Sequence, residues 1–123
     1  MFENTPNFHS TDIRILTHHI YEYKKGLRSI ALHTMNREEQ EKAEAILKRR
    51  GVSYLIKVVS AVRINIFLGD PNCIKIIESF HKDSLSQYSA EQDFMLGIML
   101  GYDKCEQYKR YLEYSEKRKI SSK

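Results

Sequence analysis

The chain contains no tryptophan, and only two cysteines, two prolines and five glycines in 123 residues. Two cysteines form neither a disulfide scaffold nor, alone, a four-ligand zinc centre. No apolar run approaches the ~18–20 residues that a bilayer-spanning helix requires. There is no CxxC, no HExxH, no glycine-rich phosphate loop and no acid-rich calcium loop, which removes the commonest metal and nucleotide signatures. No internal repeat or low-complexity stretch interrupts the chain. The N-terminal Met1-Phe2-Glu3-Asn4-Thr5-Pro6 lacks the basic-then-apolar order of a secretory signal. Together with the cysteine count, this gives the expectation of a reduced, cytoplasmic protein.

What is present suffices for one domain. The residues are 41% hydrophobic, 29% charged and 11% aromatic, enough apolar material for a core. A single domain over 1–123 is expected, with an N-terminal arm at 1–10 and a basic, flexible tail at 117–123. The formal net charge is +4. Lys117, Arg118, Lys119 and Lys123 supply all of it, so residues 1–116 are balanced. A pI near 9.0 therefore says little about a basic binding face.

Apolar periodicity and capping residues divide the chain into elements. A first helix starts near Ser10 or Thr11, with Asp12 suited to the positive end of the helix dipole. Its stripe is Ile13, Leu16, Ile20, Tyr23 and Leu27. Leu27 to Thr34 reads as a strand. Asn36 and Glu39 resemble a capping box that opens a charged helix ending at Arg50, with Gly51 as its exit. Val52 to Val59 and Val62 to Leu68 alternate as strands, forming a hairpin around Ser60-Ala61. Asp70-Pro71 supplies an N-cap and a first-turn proline for a helix to Phe80. His81 to Tyr88 is a polar loop. Ser89 and Gln92 form a second capping box before Phe94-Met95-Leu96-Gly97-Ile98-Met99-Leu100. A break at Gly101-Tyr102-Asp103 precedes a last helix to about Lys119; the rival is one long helix, since the apolar rhythm crosses the break.

The order predicts an α+β fold: a three-stranded antiparallel sheet of order 1-3-2, a β-α-β-β-α core, and about five helices in all. One sheet face takes the strongly apolar residues. The other is expected to carry Ser29, Ala31, His33, Leu55, Lys57, Val59, Arg63, Asn65 and Phe67. The first helix, the last helices or a second subunit must cover it. Residues 94–100 are apolar on all sides, which predicts burial on all sides. Candidate interface residues are Leu55, Val59, Phe67, Phe94, Met95, Ile98 and Met99.

Side chains able to do chemistry are few. Cys73 lies near a helix N-terminus, which lowers a thiol pKa, but the Asp70 cap opposes that. Cys105 falls on the apolar stripe of the last helix with Tyr108 and Leu112. His18 and His19 point ~100° apart on a helix and make a poor chelate. His18 is expected in solvent, whereas His19 could meet His33 if the first helix packs on that strand. Glu38, Glu39, Glu41 and Glu44 lie among Lys42, Lys48 and Arg49 on a solvated helix. The last helix interleaves Tyr102, Tyr108, Tyr111 and Tyr114 with basic residues, a pattern that can hold nucleic acid, but Asp103, Glu106, Glu113 and Glu116 dilute it.

The phrases Leu68-Gly69-Asp70-Pro71-Asn72-Cys73 and Phe94 to Asp103, with His18-His19-Ile20-Tyr21-Glu22, resemble a small bacterial family of unknown function. The resemblance spans nearly the whole chain. It implies about 120 residues, three strands, five helices and a homodimer, with no known catalytic residues or cofactors. It also implies an association with flavodoxin, an acidic redox partner that a basic tail would suit. The functional expectation is a non-enzymatic binding or accessory protein acting as a homodimer. The alternatives are a small thiol or histidine enzyme using Cys73 or His33, and a weak nucleic-acid binder working through the last helix and tail.

Overall fold

The computed structural model describes residues 10–121. Helix α1 (Thr11–Lys24) is followed by β1 (Ile30–Asn36), α2 (Gln40–Arg50), β2 (Ser53–Val58), β3 (Arg63–Gly69), α3 (Pro71–Ser79), α4 (Ala90–Met99) and α5 (Lys104–Ser121), with 3-10 turns at Arg37–Glu39 and Leu85–Gln87. The sheet is antiparallel in the order β1-β3-β2. The expected fold class, strand order and five helices are all present.

Local chemistry fixes the element boundaries. Ser10 accepts the Ile13 N–H at 3.2 Å to start α1. Asp12 then ties that start to β1: its carboxylate accepts the Asn36 N–H at 3.0 Å and its carbonyl accepts from His33 Nε2 at 2.9 Å. Ser60 closes the β2–β3 turn without Gly or Asn, because its hydroxyl accepts the N–H groups of Val62 and Arg63. Asp70 accepts the Asn72 N–H at 2.7 Å, with Pro71 in the first turn of α3. Ser89 and Gln92 form a reciprocal box at 3.0 and 3.1 Å. Gly101 adopts φ 82°, ending α4, and Asp103 caps α5 by accepting the Glu106 N–H. The break near 101–103 is therefore real.

Helices cover both sheet faces. Ala31, Met35, Ile64, Ile66 and Leu68 pack with Ile13, Leu16 and Ile20 of α1 and Ala43 and Leu47 of α2. On the other side, Ile30 and Phe67 pack with Ile74 and Ile77 of α3, Tyr88, and Leu96 and Leu100 of α4. Sealing both faces within one chain is the main burial available to so small a sheet.

Several expectations need correction. Ala31 and His33 do not share a face with Leu55 and Phe67: β1 pairs Ala31 with Leu68 and His33 with Ile66, so they lie under α1. Both faces of β1 are apolar because both are covered, so its alternation did not reveal which set faces which layer. Strand β1 also starts three residues later than expected, and Leu27 is 69% exposed just beyond α1. Asn36 caps a 3-10 turn at Glu38 N–H rather than a capping box, and Glu39 instead accepts from the Ser10 hydroxyl. Residues 94–100 are not buried all round: Leu96, Gly97 and Leu100 are buried, Phe94, Ile98 and Met99 are half-buried, and Met95 is exposed. Apart from these corrections, α5 includes residues 117–121 of the expected basic tail, and residues 122–123 and most of the arm, 1–9, lie outside the described residues.

Candidate functional site

The α4–α5 hairpin presents two different surfaces. Its helices touch where the Gln107 side chain lies against Gly97, a contact with no room for a side chain at 97. Gln107 and Tyr114 turn toward the body, because the residue before Tyr108 lies ~100° round the helix from it. The apolar stripe expected to be packed therefore faces outward: Cys105 is exposed, Tyr108 is 50% exposed and Leu112 is 65% exposed. The period identified a coherent face but not which face meets the protein.

On the outer side, Phe94, Met95, Tyr108, Tyr111 and Leu112, with Glu91 at one end, line an open groove of about 490 Å³. Phe94 meets Tyr111 edge-on at 5.5 Å between ring centres and Tyr108 at 6.1 Å. The rings are thus partly ordered by each other while their other sides face water. The Tyr111 hydroxyl donates to Glu91 at 3.0 Å, clamping the start of α4 to α5.

On the inner side, a cleft of about 470 Å³ opens between α4, α5, the 3-10 turn at Leu85–Gln87 and β1. Leu32, Leu96 and Leu100 supply apolar lining; Tyr88, Tyr102 and Tyr114 add aromatic surface; Gln107, Asp93 and Arg110 add polar groups. Arg110 grips Asp93 with two prongs, Nε at 2.6 Å and Nη2 at 2.9 Å. That carboxylate raises the guanidinium pKa still further above its usual value. The Tyr114 hydroxyl donates to the Tyr88 carbonyl, fixing one wall.

The histidines form a separate, partly enclosed pair. The rings of His19 and His33 lie 5.5 Å apart, as the packing of α1 on β1 allows. Burial lowers both pKa values, and the neighbouring ring adds to the effect at His19. His33 Nε2 carries the proton that it donates to Asp12, while His19 Nδ1 is buried with no hydrogen-bond partner. His18 is exposed and 3.4 Å from Glu22. Among the described residues, no cluster of three or more His, Cys, Asp or Glu side chains is placed to hold a metal ion.

Cys73 is partly buried, and burial followed by the Asp70 charge raises its thiol pKa. The helix-start effect is therefore outweighed at this position. Among the helix α2 acids, Glu44 accepts from the Tyr54 hydroxyl at 2.7 Å and from Gln40, which lowers its pKa, while Tyr54 is pushed up to about 12. This contact fastens α2 to β2.

Of the candidate interface residues, Phe67 is buried inside the chain and Leu55 packs partly beside it. Val59 is exposed near the β2–β3 turn. Phe94 and Met95 line the outer groove, whereas Met99 packs against the inner core and Ile98 is half-buried. The cleft around Gln107 and Arg110 was not anticipated. It joins Leu32 to residues some seventy positions later, and no local pattern carries such a pairing.

No helix among the described residues is long and apolar enough to cross a membrane. Residues 14–114 match a family described as a protein of unknown function (DUF2023). No curated protein matches the chain.

Proposed function

The chain belongs to the DUF2023 family of unknown function, and from that premise we propose that it is a binding or accessory protein rather than an enzyme, working as a homodimer paired through the outer face of α4–α5. The observation that carries this reading is the open groove of Phe94, Met95, Tyr108, Tyr111 and Leu112. Contiguous apolar surface of this kind is costly to leave in water and commonly marks a contact. A second copy is the occupant that its charge pattern suits. By position along the chain, Glu91 and Glu116 fall toward the start of α4 and the later part of α5, and Lys104 and Lys109 fall nearer the α4–α5 turn. A two-fold axis through the middle of the groove sets each acidic end against the basic end of the partner. Such a pairing also adds burial to a domain whose size limits its own core.

The thiol and histidine alternatives have less support. Cys73 has a raised rather than lowered thiol pKa, and His33 Nε2 is already engaged by the Asp12 carbonyl. The test is sedimentation equilibrium of the full chain against Leu112→Glu. The wild type should run at twice the 14.5 kDa chain mass, and the variant as a folded monomer. A wild-type monomer at high micromolar concentration would end the dimer reading.

A second reading concerns a further partner. Helix α5 carries Lys117, Arg118 and Lys119 consecutively before its end at Ser121. Three adjacent cations suit an acidic protein such as flavodoxin. Binding to a flavodoxin that weakens with salt, and weakens again when the three are replaced by Glu, supports this; binding indifferent to both refutes it.

A further inference from the structure

A cavity of about 240 Å³ lies between β2, β3 and the segment joining α3 to α4, and it shares no lining residue with the outer groove. It is smaller than the ~300–1,000 Å³ sites that hold drug-sized ligands, so only a small molecule fits. The sheet builds one wall in register: Lys57 pairs with Asn65, and Asn65 with Thr34, across the three strands. The Thr34 hydroxyl donates to Asn65 Oδ1 at 2.5 Å, so the carboxamide is left chiefly with its N–H groups to offer. The other wall folds around Gln87, whose side-chain oxygen accepts the Asp83 N–H at 3.0 Å and whose carbonyl accepts from Lys82 Nζ at 3.1 Å. Ser84 and Ser86 share one hydroxyl–hydroxyl bond at 2.8 Å, which leaves one O–H free to donate. Lys57 and Lys82 line the cavity against a single acid, Asp83, and among the described residues Asp83 forms an ion pair with neither. The lining is therefore rich in donors and positive on balance. Phe67 and Tyr88 add buried apolar surface, and Val58, Val59 and Leu85 remain exposed beside them.

We propose that this cavity binds a small organic carboxylate, with its charged group at Lys57 and Lys82 and a compact apolar or aromatic body against Val58, Val59 and Leu85. An ionised carboxylate only accepts hydrogen bonds, which matches a lining that mainly donates them. Bonds from an ammonium to a carboxylate are roughly twice as strong as neutral ones. A bare inorganic anion would leave the three apolar side chains in water, and a neutral ligand would leave the lysines unmatched. Asp83 opposes the ligand by like charge and so limits its affinity. The site lies apart from the outer groove, so it stands or falls independently of dimerisation.

The test uses benzoate as the probe, with benzamide as a control of the same shape without charge and acetate as a control of the same charge without the ring. The methyl groups of Val58, Val59 and Leu85 are observed by carbon–proton NMR in the full chain. Benzoate should shift them saturably, and both controls should bind more weakly. Lys57→Met and Lys82→Met should each weaken benzoate at least about tenfold, the loss expected for one bond to a charged group. Asp83→Asn should tighten it, a gain that damage to the fold would not produce. The proposal is overturned if benzoate gives no saturable shift, if benzamide or acetate binds equally well, or if affinity is unchanged in both lysine variants and in Asp83→Asn. The comparison of the three probes on the wild type stands even if a variant fails to fold.

Discussion

The Gln107 carboxamide rests directly on Gly97, so that α4 and α5 meet through a polar side chain against bare backbone. A Cβ at 97 would strike the end of that side chain, which can swing away. Gly97→Ala should therefore change stability by no more than about 1 kcal/mol, since the helix-propensity gain offsets the displacement. Gly69 is different: it has φ 136°, and a Cβ there meets the Ser29 carbonyl and, at 2.9 Å, Ile30 Cα, neither of which can move aside cheaply. Gly69→Ala should cost about 2 kcal/mol or more. Urea unfolding of both variants decides the matter, and the account fails if Gly97→Ala proves the more damaging.

Acid should destabilise the fold through the histidine pair. The folded pKa values of His19 and His33 lie below 6.5. The unfolded chain therefore binds protons first as pH falls. Stability is unaffected by these groups well above 6.5 and declines as pH drops through that value, levelling off below the folded pKa values. Asp12, Glu22, Arg28 and His18 surround the pair and modulate it. His19→Leu, which removes the unpartnered Nδ1, should retain stability at alkaline pH and flatten the loss on acidification. Melting temperatures from about pH 8 to about pH 5 test this, and an unchanged slope in the variant counts against it.

The Cys73 thiol should react slowly. Burial and Asp70 hold its pKa above the usual value, so the thiolate fraction at neutral pH is small. Iodoacetamide should modify exposed Cys105 first, with Asp70→Asn accelerating Cys73. Mass spectrometry of the time course reads both sites. Faster labelling of Cys73 than of Cys105 in the wild type would revive the thiol-enzyme alternative.

The elements set by local chemistry were legible beforehand. Asp70-Pro71, the Ser89–Gln92 box and the Gly101 break act over a few residues, so the sequence reveals them directly. The alternation in β2 and β3 sufficed to identify both strands, and the order of elements along the chain sufficed for the strand order. Two features set by tertiary packing were not legible. Strand β1 has apolar residues on both sides, so nothing in Ile30-Ala31-Leu32 indicates which side meets α1. In α5, Tyr108 and Leu112 form the more apolar stripe, yet Gln107 and Tyr114 are the residues that pack inward. The cleft depends on that inversion, so reading the stripe as core hid both surfaces of the hairpin.

The pairing of two copies across α4–α5 is tested most directly by carbon-13 methyl NMR of the methionines on dilution. Met95 lies in the outer groove and Met35 is sealed between the sheet and α1–α2. The account predicts that the Met95 methyl signal moves with concentration while that of Met35 stays fixed. A Met95 signal unmoved from millimolar to low micromolar protein, with the chain at monomer mass throughout, would contradict it.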